Sequence, residues 1–119
     1  MQPETIFHIT TRSDWEAARP AGEYRADSLA GQGFIHASTR GQVLRTANRF
    51  YHGQSDLVLL EIDAAKVKAE IRFEDLSGEG MLFPHIYGPL PVDAVSGWAD
   101  FTPQADGSFC FPLRFQAVI

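Results

Sequence analysis

The chain has 119 residues, the length of one domain, and its 45% hydrophobic and 21% charged composition excludes disordered, collagen-like and low-complexity proteins. Its single cysteine, Cys110, cannot form an intrachain disulfide, which excludes a disulfide-stapled fold and disfavours a thiolate zinc site. The formal net charge of −5 disfavours an extended nucleic-acid surface, because such binding depends on many cations that neutralise phosphates.

Strands and short helices alternate in the first half of the chain. Residues 5–10 predict a strand, and Thr11 or Ser13 is placed to cap a helix that runs to about Arg19. Residues 24–33 are expected to be irregular, with a helical turn at most. Residues 34–38 predict a second strand, and Thr39 is placed to cap a helix over residues 40–51, which carry an apolar stripe at helical spacing.

The second half predicts mainly strands. The near-continuous apolar run at residues 57–63 indicates a strand at the centre of a sheet that is covered on both faces. Weaker strands are expected at residues 71–74 and 83–87. The last part predicts a hairpin with arms at residues 95–101 and 109–115. No linker or repeat divides the chain, so we expect one domain over residues 1–119.

Three of the four histidines share one feature: each lies on a predicted strand and is followed two residues later by a hydroxyl side chain. The pairs are His8 with Thr10, His36 with Ser38, and His85 with Tyr87. Because residues two apart on a strand face the same side, each pair presents an imidazole and a hydroxyl to one side of a sheet. We expect the pairs to line a shared cleft, with the three histidines as catalytic candidates and the hydroxyls as ligand-binding groups.

Other interpretations of the same residues stay open at this point. Each histidine alone can be a core residue bonded to backbone or water. Three imidazoles can also hold a catalytic zinc ion, although no metal-binding spacing such as His-x-x-x-His occurs. A third alternative is nucleophilic catalysis by Cys110 or Ser38 with a histidine as base.

Arginines follow the second predicted strand at positions 40, 45 and 49. If the cleft holds a phosphate, one of these guanidinium groups and the helix amides after Ser38 would anchor it, and Arg40 is the ligand-binding candidate. The alternative is an ordinary solvated helix face.

Two observations bear on location. The longest apolar runs, such as residues 57–60, are far shorter than the roughly 18 residues of a membrane helix. Residues 1–4 lack the basic-then-apolar order of a signal peptide. We expect a cytoplasmic protein that does not bind membranes, and the sequence leaves its oligomeric state open.

Three segments together resemble a known family: FHIT at residues 7–10, GFIHAS at residues 33–38 and FPHIYGPL at residues 83–90. Over nearly its whole length the chain resembles the small bacterial and plant proteins of domain-of-unknown-function family 952. That family is grouped with the ADP-ribosyltransferase fold, whose members include NAD-dependent transferases and RNA 2′-phosphotransferases. The resemblance implies a single α+β domain with a split or curved, mainly antiparallel sheet and a few short helices, and it makes NAD a candidate cofactor.

The resemblance also implies a role for each polar strand. By position, His8 looks like the residue that binds the ribose of NAD. His36 with Ser38 looks like the second motif of the transferases, and His85 with Tyr87 looks like the third.

The third motif departs from the transferase pattern, because His85 stands where a glutamate is expected. A carboxylate stabilises the positive charge that develops on ribose when its bond to nicotinamide breaks, whereas an imidazolium does not. Glu74 and Glu79 lie nearby in sequence and could replace the missing acid.

The sequence therefore predicts a small enzyme that binds a nucleotide-like or phosphorylated-ribose ligand and transfers an ADP-ribosyl or phosphoryl group. The alternative is a non-catalytic nucleotide-binding module that has kept the cleft and lost the chemistry.

Overall fold

Short antiparallel strands and a few helices form a small α+β fold in a computed structural model that describes residues 3–116. Residues 1 and 2, part of the signal-peptide argument above, lie outside this range. The strands are β1 (Thr5–Thr11), β2 (Glu23–Tyr24), β3 (Ile35–His36), β4 (Leu57–Asp63), β5 (Ile71–Glu74), β6 (Phe83–Ile86), β7 (Leu90–Pro91) and β8 (Val95–Phe101). The helices are α1 (Arg12–Ala21), α2 (Asp27–Gln32) and α3 (Val43–Phe50).

Within the described range, the strands pair into two three-stranded sheets and one two-stranded ladder, all antiparallel. The first sheet has the order β1–β4–β8, and the second has the order β3–β6–β5. The ladder joins β2 to β7. This arrangement confirms the mainly antiparallel α+β fold expected from the sequence.

The first sheet is covered on both faces, as the apolar run of β4 predicts. On one face, Val58, Leu60 and Ile62 pack with buried residues of α1 and of the second sheet. On the other face, Leu57 and Leu59 pack with α3 and with the segment that follows β8. Alternate residues of one strand thus belong to two separate cores, as the two-residue period of extended chain requires.

One segment connects the two sheets. At its start, β3 pairs with β6, and the Ala37 amide donates to the carbonyl of Pro84 at 3.0 Å. At its end, Ser38 pairs instead with Phe7 of β1, through amide-to-carbonyl bonds of 2.7 and 2.8 Å. The chain therefore leaves one sheet for the other between residues 36 and 38, and the sheets are split at that point.

The ends of α1 follow the sequence prediction. The Thr11 hydroxyl accepts a hydrogen bond from the Asp14 amide at 3.2 Å, which caps the first turn. The helix ends at Gly22, whose φ of 83° is a left-handed conformation that favours glycine. Trp15 and Ala18 are buried, as predicted.

Two helix predictions need correction. The segment predicted to be irregular contains α2, which ends at Gly33 in a left-handed conformation. The helix predicted over residues 40–51 begins only at Val43, and Gln42 rather than Thr39 occupies its N-cap position, without a side-chain capping bond. Thr39 contributes its carbonyl, which accepts from the amides of Gln42 and Val43 at 3.0 and 3.2 Å.

The predicted C-terminal hairpin is wrong in its second arm. Residues 109–115 form no strand and end in a short 3-10 turn at Leu113–Phe115. Phe109 and Phe115 are buried in the second core, while Leu113 is exposed. The phenylalanines of this segment thus pack against α3 and the first sheet. Pro112 lacks an amide hydrogen and cannot donate to a ladder.

Within the described range, no helix has both the length and the apolar character that crossing a membrane requires.

The two-faced burial of β4 predicts a large difference between two leucine-to-alanine substitutions. Leu59 is 0% exposed and Leu113 is 85% exposed. We expect Leu59→Ala to lower the free energy of unfolding by about 2–5 kcal/mol, because it leaves a cavity between packed layers. Leu113→Ala should change it by no more than about 0.5 kcal/mol. Urea denaturation followed by tryptophan fluorescence measures both, and equal losses would contradict the packing described here.

Candidate active site

His36 and His85 face each other across neighbouring strands. They are directly opposite in the β3–β6 register. Because the adjacent pair Ala37–Pro84 carries a backbone hydrogen bond, the histidines occupy a non-hydrogen-bonded pair, in which side chains approach most closely. Their ring centroids are 5.5 Å apart, at an interplanar angle of 79°. Two of the three predicted histidines are therefore brought together by strand pairing.

Glu74 completes this cluster from the third strand of the same sheet. Its Oε1 accepts hydrogen bonds from His85 Nδ1 at 2.9 Å and from the Tyr87 hydroxyl at 2.6 Å. Glu74 lies opposite Phe83 on β6, so its carboxylate reaches diagonally to the following residues of that face. One of the two acids considered from the sequence thus lies beside the third motif.

Hydrogen bonds fix the charge of Glu74. The bonds from Tyr87 and then His85 lower the pKa of the Glu74 carboxyl, so it is an anion at neutral pH. The same hydrogen bond raises the pKa of the Tyr87 phenol, so this residue stays neutral. Oε2 of Glu74 has no hydrogen-bond partner within residues 3–116. One carboxylate oxygen therefore remains for a ligand.

The hydrogen bonds also determine which ring nitrogen of each histidine carries a proton. His85 donates from Nδ1 to a carboxylate, which leaves Nε2 with a lone pair. His36 donates from Nε2 to the side-chain oxygen of Gln32 at 2.8 Å. Burial, and then the nearby His85, lower the pKa of His36, which favours its neutral form. Within residues 3–116, His36 Nδ1 and His85 Nε2 have no hydrogen-bond partner.

Phe34 holds the His85 ring in place. The two rings are stacked, with centroids 4.2 Å apart and an interplanar angle of 26°. Phe34 also contacts His36 and Tyr87, at centroid distances of 4.8 and 5.2 Å. His85 is only 5% exposed as a result. An aromatic wall therefore restricts the orientation of the imidazole that binds Glu74.

His8 takes a different position from the other two histidines. Its Nδ1 donates to the backbone carbonyl of His36 at 2.5 Å, and its Nε2 lies 2.8 Å from the hydroxyl of Tyr24. The Tyr24 hydroxyl lies 2.9 Å from the hydroxyl of Thr10. Both ring nitrogens of His8 are thus engaged inside the protein, and Thr10 joins it through Tyr24.

Burial keeps this internal chain uncharged. It lowers the pKa of His8 to about 4 and raises the pKa of Tyr24 to about 12. A neutral His8 with a proton on Nδ1 must accept at Nε2, so Tyr24 donates to His8 and Thr10 donates to Tyr24. Protonation of His8 would reverse both hydroxyl bonds.

Ser38 and Arg40 lie apart from the histidine cluster. Ser38 is the residue that pairs with β1, and its hydroxyl lies 3.4 Å from that of Thr46. The Arg40 guanidinium donates to the carbonyl of Phe115 at 2.7 Å and lies over the rings of Phe7 and Phe111. Phe7 belongs to the core on the opposite side of β1 from His8, so Arg40 is directed to the other face of the sheet.

Glu79, the other acid considered from the sequence, is also placed elsewhere. Its carboxylate pairs with Arg49 of α3 and accepts from the hydroxyl of Ser77. Within residues 3–116, its carboxylate forms no hydrogen bond with His85 or Tyr87.

Three residues that contact the candidate histidines were not identified from the sequence as site residues. Tyr24 and Gln32 lie in the segment predicted to be irregular, where no pattern gives their direction. Phe34 lies two residues before His36 and therefore on the same face of the predicted strand. That spacing was the signal that could have identified it.

A cavity of about 420 Å³ opens beside Tyr87. Its lining includes Glu23, Lys68, Gly88 and Pro89. Tyr87 therefore contacts both the histidine cluster and the cavity.

The geometry of the described residues does not support a zinc site or a nucleophilic Cys110. Within residues 3–116, no group of three or more His, Cys, Asp or Glu side chains is arranged to hold a metal ion. Cys110 is exposed, and its sulfur accepts from the side-chain amide of Gln104 at 3.3 Å rather than facing a histidine.

Comparisons with known proteins give a family and a set of similar structures. A family model described as "Protein of unknown function (DUF952)" matches residues 9–98. The crystal structure of protein CC0527 from Caulobacter crescentus is 36% identical, with a TM-score of 0.80, and the match covers 89% of this chain and 93% of that one. Its solution NMR structure gives 36% identity and a TM-score of 0.78 over 89% and 91% of the two chains. No curated protein matches the chain.

The buried His8 predicts a specific loss of stability in acid. Its pKa is about 4 in the folded protein and near 6.5 when unfolded, so the unfolded chain binds more protons between these values. The His8 contribution is complete above about pH 6.5 and is lost as the pH falls towards 4, by roughly 3 kcal/mol in all. Urea unfolding between pH 4 and 7.5 measures it.

His8→Gln is the matched control for this pH dependence. Glutamine can still donate to the His36 carbonyl but does not titrate, so its unfolding free energy should fall less between pH 6.5 and 4. Titration of His36 and of the carboxylates is common to both proteins and cancels in the difference. Parallel curves for the two proteins would show that His8 is not the titrating group.

The Tyr24 hydroxyl predicts a second stability effect. Tyr24→Phe removes the only described partner of His8 Nε2 and leaves two buried polar groups unpaired. We expect a loss of about 1–3 kcal/mol in the free energy of unfolding at pH 7. Tyr51→Phe serves as the comparison, since no described side chain bonds its hydroxyl, and a similar loss for both would contradict the assignment.

Proposed function

The chain belongs to the DUF952 family of proteins of unknown function, and we propose that it is a small ribosyl-transferring enzyme that binds a nucleotide-like ligand such as NAD. The observation that supports this proposal is the carboxylate of Glu74, hydrogen-bonded to His85 and Tyr87. The third motif lacks an acid in its own sequence, and Glu74 supplies one from the neighbouring strand. This removes the main departure from the transferase pattern.

The charge of the cluster suits ribosyl transfer. Breaking the bond between ribose and nicotinamide builds positive charge on the sugar, which a fixed carboxylate stabilises. Glu74 is anionic, and its Oε2 has no described protein partner, so it can face the sugar or accept from a ribose hydroxyl. Burial lowers the pKa of the adjacent His36, so its imidazole is neutral and does not oppose this charge.

The same charges disfavour a phosphoryl group at the centre of the cluster. Arg72 is the nearest cation, and it pairs with Glu70 at 2.9 Å while lying over the Tyr87 ring at 4.4 Å. Two carboxylates, those of Glu70 and Glu74, thus stand beside one guanidinium. Phosphoryl transfer is therefore the weaker of the two reactions considered from the sequence.

The cavity beside Tyr87 offers room for the rest of a nucleotide. Its volume of about 420 Å³ lies within the range of ligand-binding pockets, roughly 300–1,000 Å³. Lys68, which lies in the lining, provides a cation for the phosphates.

One observation favours a second candidate, a nucleotide-binding module without catalysis. In the transferases the first-strand histidine binds the ribose, but both ring nitrogens of His8 are engaged by His36 and Tyr24. A first motif used for internal hydrogen bonding is what a cleft that has lost its chemistry would contain.

Glu74→Gln tests the proposal directly. Glutamine can still accept from His85 and Tyr87 but carries no charge, so we expect nicotinamide release from NAD to fall by about 10²–10³-fold while ADP-ribose still binds. Chromatography measures nicotinamide, and calorimetry measures binding. Glu79→Gln is the matched control, because it changes the other candidate acid, and its rate should match the wild type.

Three results would decide between the candidates. Nicotinamide release that depends on Glu74 supports the enzyme. Binding of ADP-ribose without turnover supports the module. If the wild-type protein binds neither NAD, ADP-ribose nor 2′-phosphorylated nucleotides, both candidates are wrong.

A further inference from the structure

We propose that His85 is the general base of the reaction, that Glu74 orients it, and that the acceptor is therefore a hydroxyl group, with water as the simplest case. This inference rests on the proposed ribosyl transfer. It adds a catalytic role to a histidine that occupies the place where the transferase pattern has a glutamate.

The direction of the His85 ring is the first support. Its Nδ1 is fixed by the carboxylate of Glu74, so the proton-accepting atom is Nε2. Within residues 3–116, the only buried side-chain nitrogen or oxygen without a hydrogen-bond partner is Trp15 Nε1. His85 Nε2 also has no described partner, so it must reach the surface of the protein, even though the residue is 5% exposed.

The surroundings of the ring are the second support. Stacking on Phe34 and the bond to Glu74 together leave little freedom for the imidazole to rotate. A base that is held in one orientation loses no entropy when the reaction begins. The arrangement of carboxylate, imidazole and an open Nε2 matches the general geometry of an oriented base.

The other two histidines fit this role less well. Both nitrogens of His8 are engaged inside the protein. His36 is held by the neutral amide of Gln32, which stabilises the imidazolium that forms when a base takes a proton less than a carboxylate does. Only His85 pairs with a carboxylate among the three.

The step balances without a further reagent. The acceptor oxygen forms a bond to C1′ of the ribose as the C1′–nitrogen bond breaks, and that electron pair leaves with nicotinamide, which becomes neutral. The acceptor proton passes to His85 Nε2 and then to solvent. NAD and a hydroxyl thus give the ribosylated product, nicotinamide and one proton.

An imidazole base points to the class of acceptor. A hydroxyl keeps its lone pairs at neutral pH and needs a base only as the new bond forms. A lysine amine, with a pKa of about 10.4, must lose its proton before it can attack, and a guanidinium holds its proton still more strongly. An imidazole suits the hydroxyl.

The pH profile of such a base depends on every charged group around it. Those that face His85 are His36 on β3, Arg72 and Glu74 on β5, and Tyr87 directly after β6. In the wild-type protein we expect nicotinamide release to rise with pH along an acid limb that belongs to the base, in addition to the limb along which Glu74 ionises, because the base must be unprotonated to act.

The test compares His85→Ala and His85→Gln with the wild-type protein, using NAD as substrate and water as acceptor. We expect kcat to fall by about 10²–10⁴-fold with little change in KM, and the acid limb that belongs to the base to disappear. Added imidazole should restore part of kcat in His85→Ala, where it can occupy the space left by the ring. Glu74→Gln should also lower kcat but should not respond to imidazole. His52→Ala, the same change outside the cluster, should leave the rate unchanged.

The outcomes separate this inference from the proposed function. If the wild type releases nicotinamide and the His85 variants keep its rate or the acid limb of the base, or if kcat falls without rescue by imidazole, His85 is not the base and ribosyl transfer stands. If only Lys or Arg acceptors are modified, the hydroxyl acceptor is wrong. If the wild type binds ADP-ribose but releases no nicotinamide, or binds nothing, both proposals are wrong.

Discussion

The hydrogen bond from His8 Nδ1 to the carbonyl of His36 is the contact on which the site depends. The segment that carries His36 leaves β6 for β1 between residues 36 and 38, and at that point its carbonyl has no strand to pair with. A buried, unpaired carbonyl would be costly, and an imidazole on β1 satisfies it. The His8 side chain thus bonds across the point where the two sheets separate, and its burial keeps it uncharged. The chain of hydroxyls from Thr10 through Tyr24 completes its hydrogen bonding.

Strand pairing then determines which side chains form the candidate site. A non-hydrogen-bonded pair brings His36 and His85 close together on one face of the second sheet. β5 adds Glu74 to the same face, while the opposite face, with Ile35 and Ile86, is buried in the core. One face of the second sheet therefore packs into the core, and this packing fixes the position of the polar cluster on the other face. Glu74 lies on β5 and His85 on β6, so the third sequence motif does not contain the pair by itself.

Much of the fold could be predicted because local patterns determine it. The strands at residues 57–63, 71–74 and 95–101 agree with the structure, since alternation and apolar runs report burial directly. The prediction of a strand at residues 109–115 was wrong, because the phenylalanines that produce the alternating pattern pack against α3 without forming a strand. The site was predicted in part: His36, His85 and Tyr87 do lie together, whereas Arg40 is directed to the other face of the first sheet. The position of a long side chain after a strand end is decided by its neighbours rather than by its spacing.

The sequence by itself determined the kinds of side chain that the strands carry and the side of each strand on which they lie, because the two-residue period is a local property of extended chain. The tertiary structure decided which strands pair and in which register. Only that pairing separates His8, as an internal hydrogen-bonding residue, from His85, with its carboxylate partner and open nitrogen. It also selects Glu74 over Glu79, since two acids five residues apart are equivalent in sequence until one of them lies on β5 beside His85 and the other pairs with an arginine of α3.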